Sequence, residues 1–225
     1  MWLFNSSIGK KVVMSVTGIC LILFLTFHMS MNVVALFSGE AYNMICELLG
    51  ANWYAVVATM GLAALAVLHI VYAFILTLQN RAARGAERYA VTEKPGKVEW
   101  ASQNMLALGV IIAVGLLLHL YHFWSKMMLV DLGVGSDPEL HLHSTDGAYW
   151  VQQTFMDPIN VVLYVVWIVA LWFHLSHGFW SSLHTIGING KTWQKRWEII
   201  GNVYVTLICF GFISVVLCFF GRSLC

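Results

Sequence analysis

The chain has 225 residues, 60% of them hydrophobic and only 10% charged, with a formal net charge of +1. These values lie well outside the range of soluble globular domains. They exclude an ordinary soluble enzyme and predict an integral membrane protein, surrounded by lipid and without a nucleic-acid partner.

Five apolar runs reach the length of about 20 residues that a helix needs to cross a hydrocarbon core: 12–37, 53–78, 103–127, 158–186 and 199–220. The first follows Lys10 and Lys11 as a signal peptide would. It is too long for the apolar part of one and shows no small-residue cleavage site, so a retained helix is expected. Residues 38–52 (SGEAYNMICELLGAN) are half apolar and predict a short interfacial helix; 79–102 reads as a polar loop, 128–157 as a longer, mostly acidic connection and 187–198 as a short return. No linker divides the chain, which predicts one all-α transmembrane domain over 1–225.

Basic residues near helix ends stay on the cytoplasmic side. Lys10, Lys11, Arg81, Arg84, Arg88, Lys94, Lys97, Lys191, Lys195 and Arg196 share one set of loops, against Lys126 and Arg222 on the other. The N-terminus is expected inside and the C-terminus outside. Insertion alone accounts for this asymmetry, although anionic lipid or a docked partner can use the same charges. Cys20, Cys46, Cys209, Cys218 and Cys225 show no CxxC or CxxCH spacing, so neither an iron-sulfur site nor covalent haem attachment is expected in this chain.

Six of the nine histidines fall inside predicted spans 1 to 4: His28, His69, His119, His122, His174 and His177. An imidazole in the membrane is expensive unless it is paired or bound, so each is a functional candidate against the plainer reading of an interhelical hydrogen bond. His28 and His119 lie 17 and 20 residues beyond Lys11 and Glu99 on the outward spans, while His69 and His174 each lie 16 residues after Trp53 and Pro158 on the inward ones. Two histidines therefore share an outer level and two an inner level, separated by about 10 Å or more at about 1.5 Å rise per residue. That arrangement suits bis-histidine ligation of two stacked b haems in a bundle of the first four helices.

Small residues offer room for the macrocycles. Gly18 precedes His28 by ten residues and Gly109 precedes His119 by ten, while Ala73 and Gly178 follow His69 and His174 by four. His119 and His122 are three apart, as are His174 and His177, so either of each pair can face the bundle. The glycine spacings select His119 and His174, leaving His122 and His177 as neighbours of the haem or quinone, against the plainer reading of core hydrogen bonds. His141 and His143, in ELHLH on the outer connection, are expected to be solvated rather than metal-bound. His184, near the inner end of span 4, faces a propionate or the headgroups.

With these residues in view, the chain resembles the di-haem cytochrome b anchor of succinate:quinone oxidoreductases and fumarate reductases, of the single-subunit, five-helix type. The resemblance is carried by SVTGICLILFLTFH in span 1, LHIVYAFILTLQNRAARG in span 2, GVIIAVGLLLHLY in span 3 and FHLSHGFWSSLHTIGI in span 4. It implies two haem b groups, the distal one on His28 and His119 and the proximal one on His69 and His174, with Ser15 at a propionate. It further implies a bacterial cytoplasmic membrane, a soluble iron-sulfur subunit docked on the basic inner loops, and an FAD-containing flavoprotein beyond it that interconverts succinate and fumarate.

Menaquinone is the exchangeable substrate that the resemblance implies, near the distal haem. Glu47 in MICELLG stands where the family carries an acid that exchanges quinone protons. Some members carry a glutamate two residues before the span-4 ligand for transmembrane proton transfer; this chain has Trp172 there. Two other readings compete: a cytochrome b subunit of a formate dehydrogenase or hydrogenase, and a haem-free transporter with a histidine relay.

Overall fold

The computed structural model describes residues 6–50, 52–84, 100–134, 137–188, 190 and 192–224. Arg88, Lys94, Lys97, Glu99, Lys191 and Cys225 lie outside the described residues. Among the described residues every regular element is helical.

Local capping decides where these helices begin. Helix α1 (Ser7–Val34) starts ahead of its apolar run because the Ser6 hydroxyl accepts a hydrogen bond from the Gly9 amide at 2.9 Å. Helix α2 (Gly39–Leu48) is the interfacial helix expected over 38–52, capped by Ser38 on the Ala41 amide at 3.1 Å. Helix α3 (Trp53–Arg84) continues past residue 78 into polar sequence, since a helix ends where its backbone bonding ends and not where hydropathy falls. A single turn, α4 (Trp100–Gln103), precedes α5 (Met105–His119), which runs on as a π-helical turn over Leu120–Trp124. The Ser125 amide donates to the Leu120 carbonyl at 2.8 Å and closes that wider turn.

The connection read as a loop over 128–157 holds three short helices, α6 (Met128–Asp131), α7 (Pro138–Leu142) and α8 (Gly147–Phe155). Asp146 caps α8 by accepting from the Tyr149 amide at 3.0 Å and also accepts from Asn43 Nδ2 at 2.7 Å; Asn43 Oδ1 in turn accepts from the Ala148 amide at 2.9 Å. These bonds lock α8 to α2. Helix α9 (Pro158–Thr185) opens on an Asp157 cap to the Ile159 amide at 2.8 Å, with Pro158 in its first turn. It stops at Gly187, whose φ of +85° is a left-handed value that favours glycine. Helix α10 (Gln194–Ser223) completes the chain.

Five of these elements, α1, α3, α5 with its π turn, α9 and α10, are long and apolar enough to cross a membrane. Contacts fix their directions. Trp167 meets Gly115 and Tyr164 meets His122, so α9 runs against α5; Phe179 meets Gly201 and Trp172 meets Thr206, so α10 runs against α9. Thr26 bonds Tyr204 and Met29 meets Gly211, so α10 runs with α1. The spans thus alternate between a first face, where α1 begins, and a second face, where it ends. Lys10, Lys11, Arg81, Lys195 and Arg196 sit at helix ends on the first face, and Lys126 and Arg222 on the second.

The core lies among α1, α8, α9 and α10, around Ile22, Ile168, Leu171, Leu175, Val205, Cys209 and Phe219. Helix α3 is peripheral, and its Val57, Met60, Val67, Val71 and Phe74 are exposed, as lipid-facing side chains are. Small residues let neighbouring helices approach: the Trp167 indole packs onto Gly115, Phe179 onto Gly201 and Met29 onto Gly211.

On the second face, burial pushes the Cys46 thiol up to about 11, and a hydrogen bond with Tyr42 offsets part of that shift. Burial also raises the Tyr42 phenol. Near neutral pH, Cys46 should carry about 100-fold less thiolate than a cysteine of pKa 9.0. In a variant with Cys46 as its one cysteine, maleimide labelling is expected to be correspondingly slow at pH 7.5 and to accelerate as pH rises toward 11. Labelling at an ordinary rate at pH 7.5 would contradict the placement of Cys46 against Tyr42 and Gly147.

Candidate functional site

Four of the membrane-spanning helices each contribute a histidine to one of two pairs. His28 on α1 and His119 on α5 have ring centres 5.7 Å apart, nearly perpendicular at 85°. His69 on α3 and His174 on α9 have ring centres 6.3 Å apart at 68°. Thr17 lies against His69, and His28 follows it on the same helix by 11 residues, so the two levels stand about 16 Å apart. The pair of His69 and His174 is nearer the first face, and that of His28 and His119 nearer the second.

The surroundings of the upper pair are aromatic. The His28 ring stacks on Phe24 at 5.4 Å and meets Phe212 at 5.8 Å. His119 meets Phe123 at 5.1 Å, Trp167 at 5.7 Å and Tyr164 at 6.3 Å. Asn32, four residues after His28, donates from Nδ2 to the His28 carbonyl at 2.8 Å and lies 3.5 Å from His28 Nε2. The Tyr42 hydroxyl donates to Asn32 Oδ1 at 2.9 Å, which ties the His28 turn to α2.

Within the close histidine pairs of the sequence, the partners diverge. His119 faces His28, whereas the π turn carries His122 round to α9, where it is 9% exposed, stacks on Tyr164 and has Nδ1 3.2 Å from the Tyr164 hydroxyl. His174 faces His69, whereas His177 packs edge-on against Trp180 at 5.0 Å. His143 stacks on Tyr149 at 3.9 Å with Nδ1 3.5 Å from Asp146, while His141 and His184 are exposed. Among the described residues no group of three or more His, Cys, Asp or Glu side chains is placed to hold a metal ion.

The residues fit a haem iron. Two imidazoles on opposite sides of one metal ion, each at about 2 Å, have ring centres about 6 Å apart, close to the separations of both pairs. Nδ1 of His119 and Nδ1 of His174 are buried without a hydrogen-bond partner, a cost of about 1–3 kcal/mol per nitrogen that an iron bound at that nitrogen would remove. A Cβ added at Gly109 or Gly178 would meet nothing within 4 Å, whereas one at Gly18 would lie 3.3 Å from His69 Cε1. Gly18 lies against the His69 ring, the proposed inner-level ligand.

The other candidates lie toward the two faces. Ser15 is buried on α1 near the first face. Trp172 ties α9 to α10, its indole donating to Thr206 Oγ1 at 2.9 Å. Glu47 is exposed and lines a second-face cleft of about 470 Å³ with Glu40, Asn43 and Asp146. A second cleft of about 480 Å³ opens beside His122 and is lined also by Tyr121, Lys126, Tyr149 and Trp150. Burial lowers the Lys126 pKa, and its ammonium lies 4.8 Å over the Trp150 ring. Sequence reasoning passed over Thr17, Asn32 and Tyr164 around the pairs; only Asn32 carried a signal, its spacing of four from His28 on one helix face.

Fold and site together define a multi-pass, all-helical membrane protein with two levels of paired histidines. Comparison of the chain with protein families, with curated proteins and with solved structures finds no match.

Proposed function

We propose that this chain is the membrane anchor and electron-transfer subunit of a menaquinol:fumarate reductase or succinate dehydrogenase complex in a bacterial cytoplasmic membrane. It relays electrons between menaquinone and a soluble iron-sulfur subunit through two b haems, and succinate and fumarate chemistry belongs to an FAD-containing partner. The observation that carries this reading is the pairing of four histidines from four membrane-spanning helices at two levels, His28 with His119 and His69 with His174.

Bound between two such rings, a haem iron supplies a one-electron carrier. His28 and His119 hold the distal group, and His69 and His174 the proximal one. Ser15, buried beside the first face, serves a propionate. The helices keep both levels out of water, and aromatic rings around His28 and His119 keep the distal surroundings apolar. The basic first face is cytoplasmic and receives the iron-sulfur subunit. Quinone exchanges at the second face, where Glu47 and the cleft beside His122 offer groups that take up protons.

A reduced-minus-oxidised spectrum of the purified protein tests this directly. The expected result is a b-type band and a haemochrome content of two haems per chain, with an FAD protein co-purifying. No b-type band would leave the histidines as a relay or as packing and would sink the proposal.

A further inference from the structure

We infer that Thr17 is the positioning residue of His69: its hydroxyl accepts the Nδ1 hydrogen, fixing the imidazole tautomer and leaving Nε2 as the one free lone pair of the ring that faces His174. The argument starts from the single proton of a threonine hydroxyl. Thr17 Oγ1 lies 2.9 Å from the Val13 carbonyl and 3.0 Å from the Met14 carbonyl. Both carbonyls can only accept, so the hydroxyl proton is used inside α1, the usual back-bonding of a helical threonine. What Thr17 then presents to His69 Nδ1, 3.1 Å away, is an oxygen lone pair.

With the hydroxyl proton used inside α1, the hydrogen of the Thr17–His69 bond comes from Nδ1. Thr17 is 4% exposed, so no water competes for that bond within the membrane. Gly18 completes the seat, because a Cβ there would come to 3.3 Å from Cε1, the carbon between the two ring nitrogens. Thr17 sets which nitrogen carries the proton, and Gly18 sets how closely the ring lies on α1.

The S-x-T-G stretch of the first span therefore serves the lower pair, through a histidine on another helix, rather than the His28 that follows it in sequence. The lower pair is also asymmetric, since Nδ1 of His174 has no partner. An imidazole that donates from its second nitrogen is a more basic ligand and favours an oxidised iron. This last consequence rests on the proposed haem function; the tautomer does not.

The test uses Thr17→Val, which keeps shape and removes the hydroxyl, and Thr17→Ser, which restores it; Thr17→Ala serves if the valine variant does not assemble. In the purified complex, a redox titration should show the potential of one haem shifted upward in Thr17→Val, the other unchanged, and the shift reversed in Thr17→Ser. Protein labelled with ¹⁵N-histidine and kept reduced, with His69 assigned through its loss in His69→Ala, should show a far-downfield Nδ1–H proton in wild type and Thr17→Ser. In Thr17→Val that proton should move upfield. The magnetic resonance reading applies whether or not haem is bound, so it separates this inference from the haem reading. An unchanged Nδ1–H resonance in Thr17→Val overturns the role of Thr17, as does an unchanged potential in a protein that holds both haems.

Discussion

His28→Ala is expected to lower the haem content from two per chain to one, and His119→Ala to remove the same haem. The two histidines come from different helices and meet ring to ring 5.7 Å apart, so under the proposed ligation each would be half of one ligand set. His28 stacks on Phe24, and the next ring beside His119 is Phe123; neither phenylalanine can bind iron. His69→Ala and His174→Ala should remove the other haem, because about 16 Å along α1 separates the two levels. Difference spectra and redox titrations of the four variants should fall into two matching classes.

His122→Ala provides the control. His122 is the nearest imidazole in sequence to His119, but its ring lies on Tyr164 with Nδ1 at the phenol oxygen, and it should retain both haems. Loss of a haem in His122→Ala, or retention of both in His28→Ala or His119→Ala, would break the pairing.

Much of this architecture is legible in the sequence, for a physical reason: a helix in lipid must satisfy its own backbone, so a long apolar run has one outcome. The five spans follow from that alone, whereas the short helix after the first is carried by the half-apolar pattern of 38–52. Helix ends do not, because Ser6 and Asp157 caps and the polar tail of α3 are local hydrogen-bonding matters that hydropathy does not register. The level of each histidine is also legible, since depth is residue count times rise.

Which way a ring points is not legible in this way. The π turn over Leu120–Trp124 adds a residue to the helical period, and a reading that assumes regular helix cannot separate His119 from His122 except by indirect spacing. Gly18 shows the same limit. Its spacing from His28 is visible, but its neighbour is His69, because the register between α1 and α3 is set by packing. The exposure of Glu47 likewise depends on how α2 lies, which Tyr42, Asn43 and their bonds to Asn32 and α8 decide.

The largest stability effect is expected at Gly115, where the Trp167 side chain of α9 packs onto α5. The Trp167 indole lies on this glycine so tightly that an added Cβ would overlap its Cδ1, and its Nε1 donates to the Ile112 carbonyl at 3.1 Å, one turn away on the same helix as Gly115. Gly115→Ala must therefore push the indole out. Overpacking of this kind costs about 1–3 kcal/mol, and the lost indole bond adds about 0.5–1.5 kcal/mol. The Trp167 ring also stands 5.7 Å from His119, so the displacement should reach the upper histidine pair before the lower one. The expected outcome is a lower melting temperature in detergent together with a changed spectrum or potential of the haem that His28→Ala removes. Gly61→Ala is the comparison, because a Cβ there meets nothing within 4 Å, and alanine is the better helix former by up to about 1 kcal/mol. If Gly115→Ala melts with the wild type and leaves both haems unaltered, the close approach of α5 to α9 through Trp167 is wrong.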